Sequence, residues 1–387
     1  MKIAIVHDYL NQMGGAERVV SVLHEIFPEA SIHTLFYRAD KLWPSMKSAD
    51  IRPSWLQKFP LIEKHFKLFF WLYPFAIRSI APGDCDVIIS SSSAYAKGFR
   101  KVRKQSNSKL PVHICYCHSP MRFAWSIDSY IENETNSTVL KFIARFLSSW
   151  LRMWDVLTNN SVDIFIANSS VVADRIRNFY HRSSLIIPPP VSVEISHKEE
   201  SLESVSYYLI VSRLVSYKRL DLAVEACSRS GRRLVVIGTG PDRERLEKMA
   251  GDTVSFLGFQ SEANVGRYMA NCKALLFPGE EDFGITPVET NMLGSPVVAF
   301  ACGGALDTVI EGITGTFFTE QTCDSLLDAL QHFEELEWNE VAIRQSAMRF
   351  HRSVFEKSIR DLVAKAVLSV DMGAIEVRSE GKMDMSM

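Results

Sequence analysis

A short apolar run, a polar or glycine turn and then an amphipathic helix recur along this chain, and no other sequence feature narrows the fold as much. Lys2–Val6 leads through the turn Asn11 to Gly15 into Ala16–Phe27, whose apolar residues fall at helical spacing. Runs of the same kind follow at 31–37, 86–90, 111–117 and 163–167. The tripeptide Asn168-Ser169-Ser170 then caps a helix over 171–180. Buried strands alternating with helices predict a doubly wound parallel α/β sheet.

The rhythm breaks at Pro188-Pro189-Pro190 and a polar, acidic run to Ser206, then restarts at Tyr207–Val211. Strands are expected again at 233–237, 254–258, 273–277 and 296–300, and residues 323–370 read as helical. With 387 residues the chain exceeds one ordinary core, so two domains are expected. We place them at 1–187 and 207–349, with 188–206 as linker, a helix at 350–370 returning to the first domain, and a frayed tail at 371–387.

The overall charge of −2 conceals an asymmetry: residues 1–187 carry 23 Lys and Arg against 15 Asp and Glu, and the remainder carries the opposite excess. A basic first half suits a polyanion or an anionic membrane surface. Two stretches concentrate that charge. Residues 41–80 hold seven cations against two acids among Trp43, Trp55, Phe59, Phe66, Phe69, Phe70, Trp71, Tyr73 and Phe75. Such a mixture fits a headgroup zone or an inserted helical pair with its rings in the core. Residues 97–109 add a second basic cluster, as membrane contact or solvated loop. No membrane span and no signal peptide is read, so a cytoplasmic protein, with possible contact at the inner membrane face, is expected. Nucleic acid is not an expected partner.

The seven scattered cysteines read as reduced thiols. Neither Cys115-Tyr116-Cys117-His118 nor Asp84-Cys85-Asp86 has the surroundings of a metal site; the second reads as a solvated strand entry. The chemistry-bearing residues sit at strand exits. His118 follows the strand at 111–117, where ligands of open α/β sheets bind, although a lone histidine is also an ordinary structural residue. Arg213 and Lys218 follow the strand at 207–211 and could flank a diphosphate. Gly238-Thr239-Gly240 is a weak dinucleotide signal and is not taken as one. Last, Glu281 and Glu289 bracket Phe283-Gly284-Ile285-Thr286, a loop opening a helix whose N-terminal N–H groups suit an anionic or hydroxyl-rich ligand.

Taken together, Asn11 to Arg18, Ser212-Arg213-Leu214 with Lys218, Gly238 to Pro241, and Glu281-Asp282-Phe283-Gly284 with Glu289 make the chain resemble the retaining glycosyltransferases of family 4. That resemblance implies the GT-B architecture, two Rossmann-like domains facing across a cleft with a last helix crossing back. It further implies that Glu289 binds ribose hydroxyls and that Glu281, with backbone groups at Phe283, Gly284, Ile285 and Thr286, holds the transferred sugar. Arg213 and Lys218, helped by N–H groups at Gly14 and Gly15, would neutralise the leaving diphosphate without a metal, Gly238 would be among the donor-binding residues, and His118 would reach the donor sugar. The phrases His7 to Leu10, His118 to Trp125 and Lys218 to Asp221 look most like bacterial α-mannosyltransferases of surface polysaccharide or O-antigen assembly. GDP-mannose as donor and a lipid-linked saccharide as acceptor are the corresponding expectations. A UDP-sugar donor on the same fold, and a non-catalytic sugar-nucleotide or glycan binding module, are the alternatives.

Overall fold

The computed structural model describes residues 1–102, 110–125, 138–193 and 206–371, with side chains described at all of these except 67–68, 138–143 and 369–371. Most of the basic stretch beyond Val102, the interdomain run 194–205 and the tail beyond Asp371 lie outside the described residues. The chain forms two compact units, Met1–Pro190 with Phe355–Met387, and Val191–Val354.

In the first unit seven parallel strands are β1 (Ile3–His7), β2 (Ser31–Thr34), β3 (Ile51–Pro53), β4 (Val87–Ser92), β5 (Val112–Cys117), β6 (Ile164–Ala167) and β7 (Leu185–Ile186). They are ordered 3-2-1-4-5-6-7. The order reverses between β1 and β4, so the strand exits there frame a crevice of the kind that binds nucleotides. β4 and β5 are buried at every position, as expected for strands covered on both faces. One apolar cluster includes Ile5, Val20, Leu23 and Ile89, and another Val6, Phe36, Ile77 and Ile88.

The stretch 41–80 holds a strand that the sequence reading did not anticipate: β3 pairs with β2, and its Pro53 is tolerated because the strand is at the sheet edge. Three residues are too few to show alternation, which is why β3 was illegible. The rings of this stretch divide between two environments. Trp43, Phe66, Phe69, Phe70 and Tyr73 pack on the core, whereas Trp55, Phe59, Trp71 and Phe75 are exposed.

The helix Thr138–Leu157 packs Leu151, Trp150 and Trp154 on the core but also buries polar groups and exposes apolar ones. Ser148 and Asp155 are buried, while Phe146, Met153, Val156 and Leu157 face solvent. The inward polar groups are satisfied: Asp155 pairs with buried Lys97 at 2.7 Å and accepts from Trp125 and Tyr180 at 2.8 Å each. Phe75 stacks on Trp150 of this helix with ring centroids 6.3 Å apart, extending the exposed apolar surface.

The second unit repeats the plan with six parallel strands, β8 (Tyr208–Val211), β9 (Leu234–Ile237), β10 (Val254–Gly258), β11 (Ala274–Phe277), β12 (Val297–Phe300) and β13 (Gly315–Phe318). Their order, β10-β9-β8-β11-β12-β13, gives a second switch point between β8 and β11. β13 was also missed, since Gly315 opens it and leaves three informative residues; that glycine is required because a Cβ would lie 2.1 Å from the Val297 carbonyl oxygen.

The last helix, Arg352–Asp371, crosses back to the first unit. Phe355, Ile359, Val363 and Ala366 recur at helical spacing, are buried, and join the β1 core, with Phe355 against Tyr116 at 5.8 Å. Burying each of the three large side chains contributes roughly 1.5–3 kcal/mol. Phe350, by contrast, packs on Phe283 at 5.5 Å within the second unit, so the crossing starts a turn later than the 350–370 span read from sequence.

Candidate functional site

Chemistry-bearing residues gather at the strand exits of both units. In the second unit β8 ends at Val211 and the chain passes Arg213, forms a 3₁₀ turn over Ser216–Lys218, and enters the helix Leu220–Ser230 through Arg219 at φ 52°. Arg213 is exposed. Lys218, with 13% of its side chain exposed, forms an ion pair with Glu281 Oε1, whose side chain is 27% exposed. The two residues that the sequence assigned to diphosphate and sugar thus hold each other. The acidic partner of Lys218 comes not from its own helix but from the loop after β11. Lys218, Glu281, Ser212, Phe277 and Gly279 line one small cleft.

That loop is gripped from both sides by glycines. A Cβ on Gly279 would lie 2.8 Å from the Lys218 carbonyl oxygen, one on Gly303 2.4 Å from that of Glu281, and one on Gly304 2.3 Å from Phe283 Cα. The Gly304 N–H also donates to the Glu281 carbonyl at 2.8 Å. Gly279, Gly303 and Gly304 therefore set where Glu281 sits, a role no motif spacing revealed. Gln321 adds a further brace: its amide donates to the Pro278 carbonyl at 3.1 Å, while its side chain and carbonyl accept from Arg219.

Gly284 has φ 84° and caps the helix Ile285–Met292, so the conformation favours glycine. Thr286 and Glu289 are half-buried on that helix, and its first turn leaves backbone N–H groups beyond Phe283 without intrahelical partners. Gly238 has a packing role of its own. Its N–H donates to the Gly258 carbonyl at 2.8 Å, and a Cβ there would fall 1.8 Å from the Ser212 carbonyl oxygen. It is a close-packing residue that lets β9 approach the loop after β8.

In the first unit, the exits of β1, β4 and β5 bring together His7, Asp8, Ser91 and His118. Asp8 is buried, and its two carboxylate oxygens accept from the backbone N–H groups of Ser93, Ala94, Tyr95 and Ala96 at 2.6–3.1 Å. It fixes the loop after β4. His118 is half-buried, with Nε2 2.7 Å from the Ser91 hydroxyl. Burial and then the neighbouring His7 push its pKa down to about 3. The ring is therefore neutral at pH 7 and acts as a hydrogen-bonding group, not a cation.

Gly14 and Gly15 open the helix Gly15–Ile26, but the Gly14 N–H donates to Glu17 Oε2 at 3.1 Å in a capping box. Burial raises the Glu17 pKa, a large penalty that contacts from His7, Gln12 and Gly14 partly offset. Among the described residues no group of three or more His, Cys, Asp or Glu is arranged to hold a metal, and Asp84 meets Lys2 in an exposed pair. No helix among the described residues is long and apolar enough to cross a membrane.

Comparison with known proteins bears on the family and the fold. Residues 13–195 match Glycosyltransferase Family 4, and residues 192–350 match Glycosyl transferases group 1. The glycogen synthase of Pseudomonas aeruginosa is 35% identical over 133 residues, 32% of this chain and 26% of that protein. The glycogen synthase of Pseudomonas savastanoi is 27% identical over 264 residues, 63% of this chain and 51% of that protein. The chain thus spans about a quarter to a half of the length of these curated relatives. Among solved structures, Anabaena HepE in complex with UDP and glucose aligns with TM-score 0.69 at 16% identity, over 94% of this chain and 99% of that one. The lipopolysaccharide outer core galactosyltransferase WaaB in its apo form aligns with TM-score 0.66 at 20% identity, over 96% and 100%. At these identities the likeness establishes the GT-B fold.

Proposed function

From the premise that this chain belongs to the family 4 glycosyltransferases of GT-B fold, with a family 4 domain followed by a group 1 domain, we propose that it moves a hexose from a nucleotide sugar to a lipid-linked saccharide with retention of configuration. One observation carries the reading: Lys218 and Glu281 pair across the loops that leave β8 and β11 at the switch point of the second sheet, and those same loops carry Arg213 and lead into the N-terminus of the Glu289 helix. Cations there stabilise the charge that develops on a departing diphosphate, the largest single contribution in most such reactions. In this reading the diphosphate takes Lys218 from Glu281, whose carboxylate then accepts from sugar hydroxyls. Glu289 accepts from the ribose. The acceptor hydroxyl attacks on the face the diphosphate leaves, and a leaving-group oxygen takes its proton. A glycosyl group trapped on Glu281 would refute this mechanism.

GDP-mannose is the donor that the sequence resemblance supports, and no metal is required in this scheme. A UDP-sugar is the second reading, favoured by the UDP and glucose bound to the HepE neighbour, and the glycogen synthase names favour a sugar other than mannose. Thermal-shift titration with GDP, GDP-mannose, UDP and UDP-glucose, followed by product analysis on lipid-linked acceptors, separates them. Stabilisation by UDP compounds alone removes the mannose reading. Stabilisation by nucleotide sugars with no transfer to any acceptor favours the binding module.

The membrane contact expected of residues 41–80 belongs to the same proposal. In the second basic stretch Lys97 is buried against Asp155, Lys101 pairs with Asp163 and residues 103–109 lie outside the described residues, so that stretch lends it no support. Exposed Trp71 and Phe75 and the outward apolar face of Thr138–Leu157 support it, together with exposed Lys58, Lys64, Arg78 and Arg145. Apolar rings bordered by cations fit an anionic lipid surface. Flotation with neutral and anionic vesicles tests this: Trp71→Ser with Lys64→Glu should abolish binding to the anionic vesicles, and unchanged binding removes the contact.

A further inference from the structure

Three side chains on adjacent strands form a hydrogen-bonded line that ends at His118. β1 and β4 pair with His7 opposite Ser91, and β4 and β5 pair with Ser92 opposite Cys117, which brings the three strand exits to one level. His7 Nδ1 lies 2.9 Å from the Ser91 carbonyl oxygen and 3.1 Å from its hydroxyl oxygen. A carbonyl oxygen only accepts, so His7 Nδ1 carries the hydrogen and shares it with the Ser91 Oγ. The hydroxyl hydrogen of Ser91 is then directed to its other close neighbour, His118 Nε2 at 2.7 Å. With Nε2 accepting, the hydrogen of the neutral His118 ring must sit on Nδ1.

The rest of the surroundings hold the ring in place. The His118 N–H donates to the Ser92 carbonyl at 2.9 Å, and its own carbonyl accepts from Asn168 at 3.1 Å. The Tyr116 ring meets the imidazole edge-on at 5.1 Å. We propose that Ser91 and His7 are positioning residues that present His118 to a sugar oxygen as a neutral Nδ1–H donor. This rests on the reading of His118 as a contact to the donor sugar. The chemistry favours such a donor. Positive charge grows at the anomeric carbon as the diphosphate leaves, and a nearby imidazolium would oppose it, whereas a neutral N–H orients the sugar without that penalty.

Nitrogen NMR of the full chain labelled at histidine tests the hydrogen-bond line without reference to activity. The His118 signals, identified by their loss in His118→Gln, should show the Nδ1–H tautomer at pH 7. Ser91→Ala should admit the Nε2–H tautomer, and Ser91→Thr should preserve Nδ1–H. In the transfer assay Ser91→Ala should lower kcat about tenfold, the equivalent of one lost net hydrogen bond, with less than about twofold change in donor KM. Ser91→Thr should restore kcat. An Nε2–H tautomer in the unmodified chain, or no change in Ser91→Ala, overturns the positioning role. A tautomer that changes as stated with kcat unaffected overturns the assignment of His118 to the sugar while the line itself stands.

Discussion

The two strand-exit clusters solve opposite physical problems. In the first unit, Asp8, Ser91 and His118 point their polar groups at other parts of the protein: a carboxylate with four backbone N–H donors, and imidazoles joined through a hydroxyl. In the second, Arg213 lies exposed and Lys218 and Glu281 form a partly exposed pair. Buried polar groups must be satisfied internally because each unpaired one costs about 1–3 kcal/mol. Partly solvated charges can exchange partners at much lower cost. The first cluster thus holds a shape, and the second leaves charge able to change partners, as the proposed binding of a diphosphate would require.

Substitutions should expose that difference, beginning with the largest effect. Asp8→Ala leaves four N–H groups of the Ser93–Ala96 loop without their acceptor and should destabilise the first unit by about 4 kcal/mol, read by urea denaturation. A loss below about 1 kcal/mol would mean that this cluster is as adaptable as the other. Lys218→Ala and Arg213→Ala should leave stability within about 1 kcal/mol of the original but lower kcat by about 10²–10³-fold. If stability falls instead and turnover persists, the cations are structural.

Glu281 and Glu289 sharpen the comparison within the second unit. Glu289→Ala should weaken nucleotide binding about tenfold by calorimetry, about 1.4 kcal/mol, whereas Glu281→Ala should depress kcat more than nucleotide affinity. Equal effects on nucleotide binding would cancel this division of roles.

Acid should distinguish the units through their titrating groups. Burial holds His118 down to about 3 and His33 to about 4, and it lowers His113 well below the usual histidine value. Their stabilisation is complete above the unfolded value near 6.5 and is lost as pH falls through that value toward the folded one, because the unfolded chain takes up the protons first. Each contributes at most about 1.4 kcal/mol per pH unit in that window. Glu17, with a raised pKa, works in the other direction, its penalty shrinking as pH falls. In the second unit Glu334 is held down to about 2, chiefly by Arg232, so its contribution persists to about pH 4.5 and is lost below. Denaturation followed between pH 7 and 5 should weaken the first unit while sparing the second; equal weakening would contradict the assigned pKa directions.

Much of this was legible before any coordinates. Buried strands announce themselves as apolar runs, so β1, β4, β5, β8, β9 and β11 could be read directly, and the repeat after Ser206 gave two sheets. β3, β7 and β13 escaped because two or three residues, or a glycine and three, carry too little pattern. The motif residues Arg213, Lys218, Glu281 and Glu289 were legible as types at strand exits. Their partners were not.

The sequence by itself determined the α/β class, the two units and which charged and polar residues stand at strand exits, because periodicity and strand-exit position are local properties of the chain. Only the tertiary structure decided that Lys218 holds Glu281, that Gly303 and Gly304 set the acidic loop, that Gly14 answers to Glu17, and that Ser91 stands between His7 and His118. Those contacts join residues up to 84 positions apart. Parallel pairing places strand exits side by side whatever their separation in sequence, and no local pattern encodes which side chains then meet.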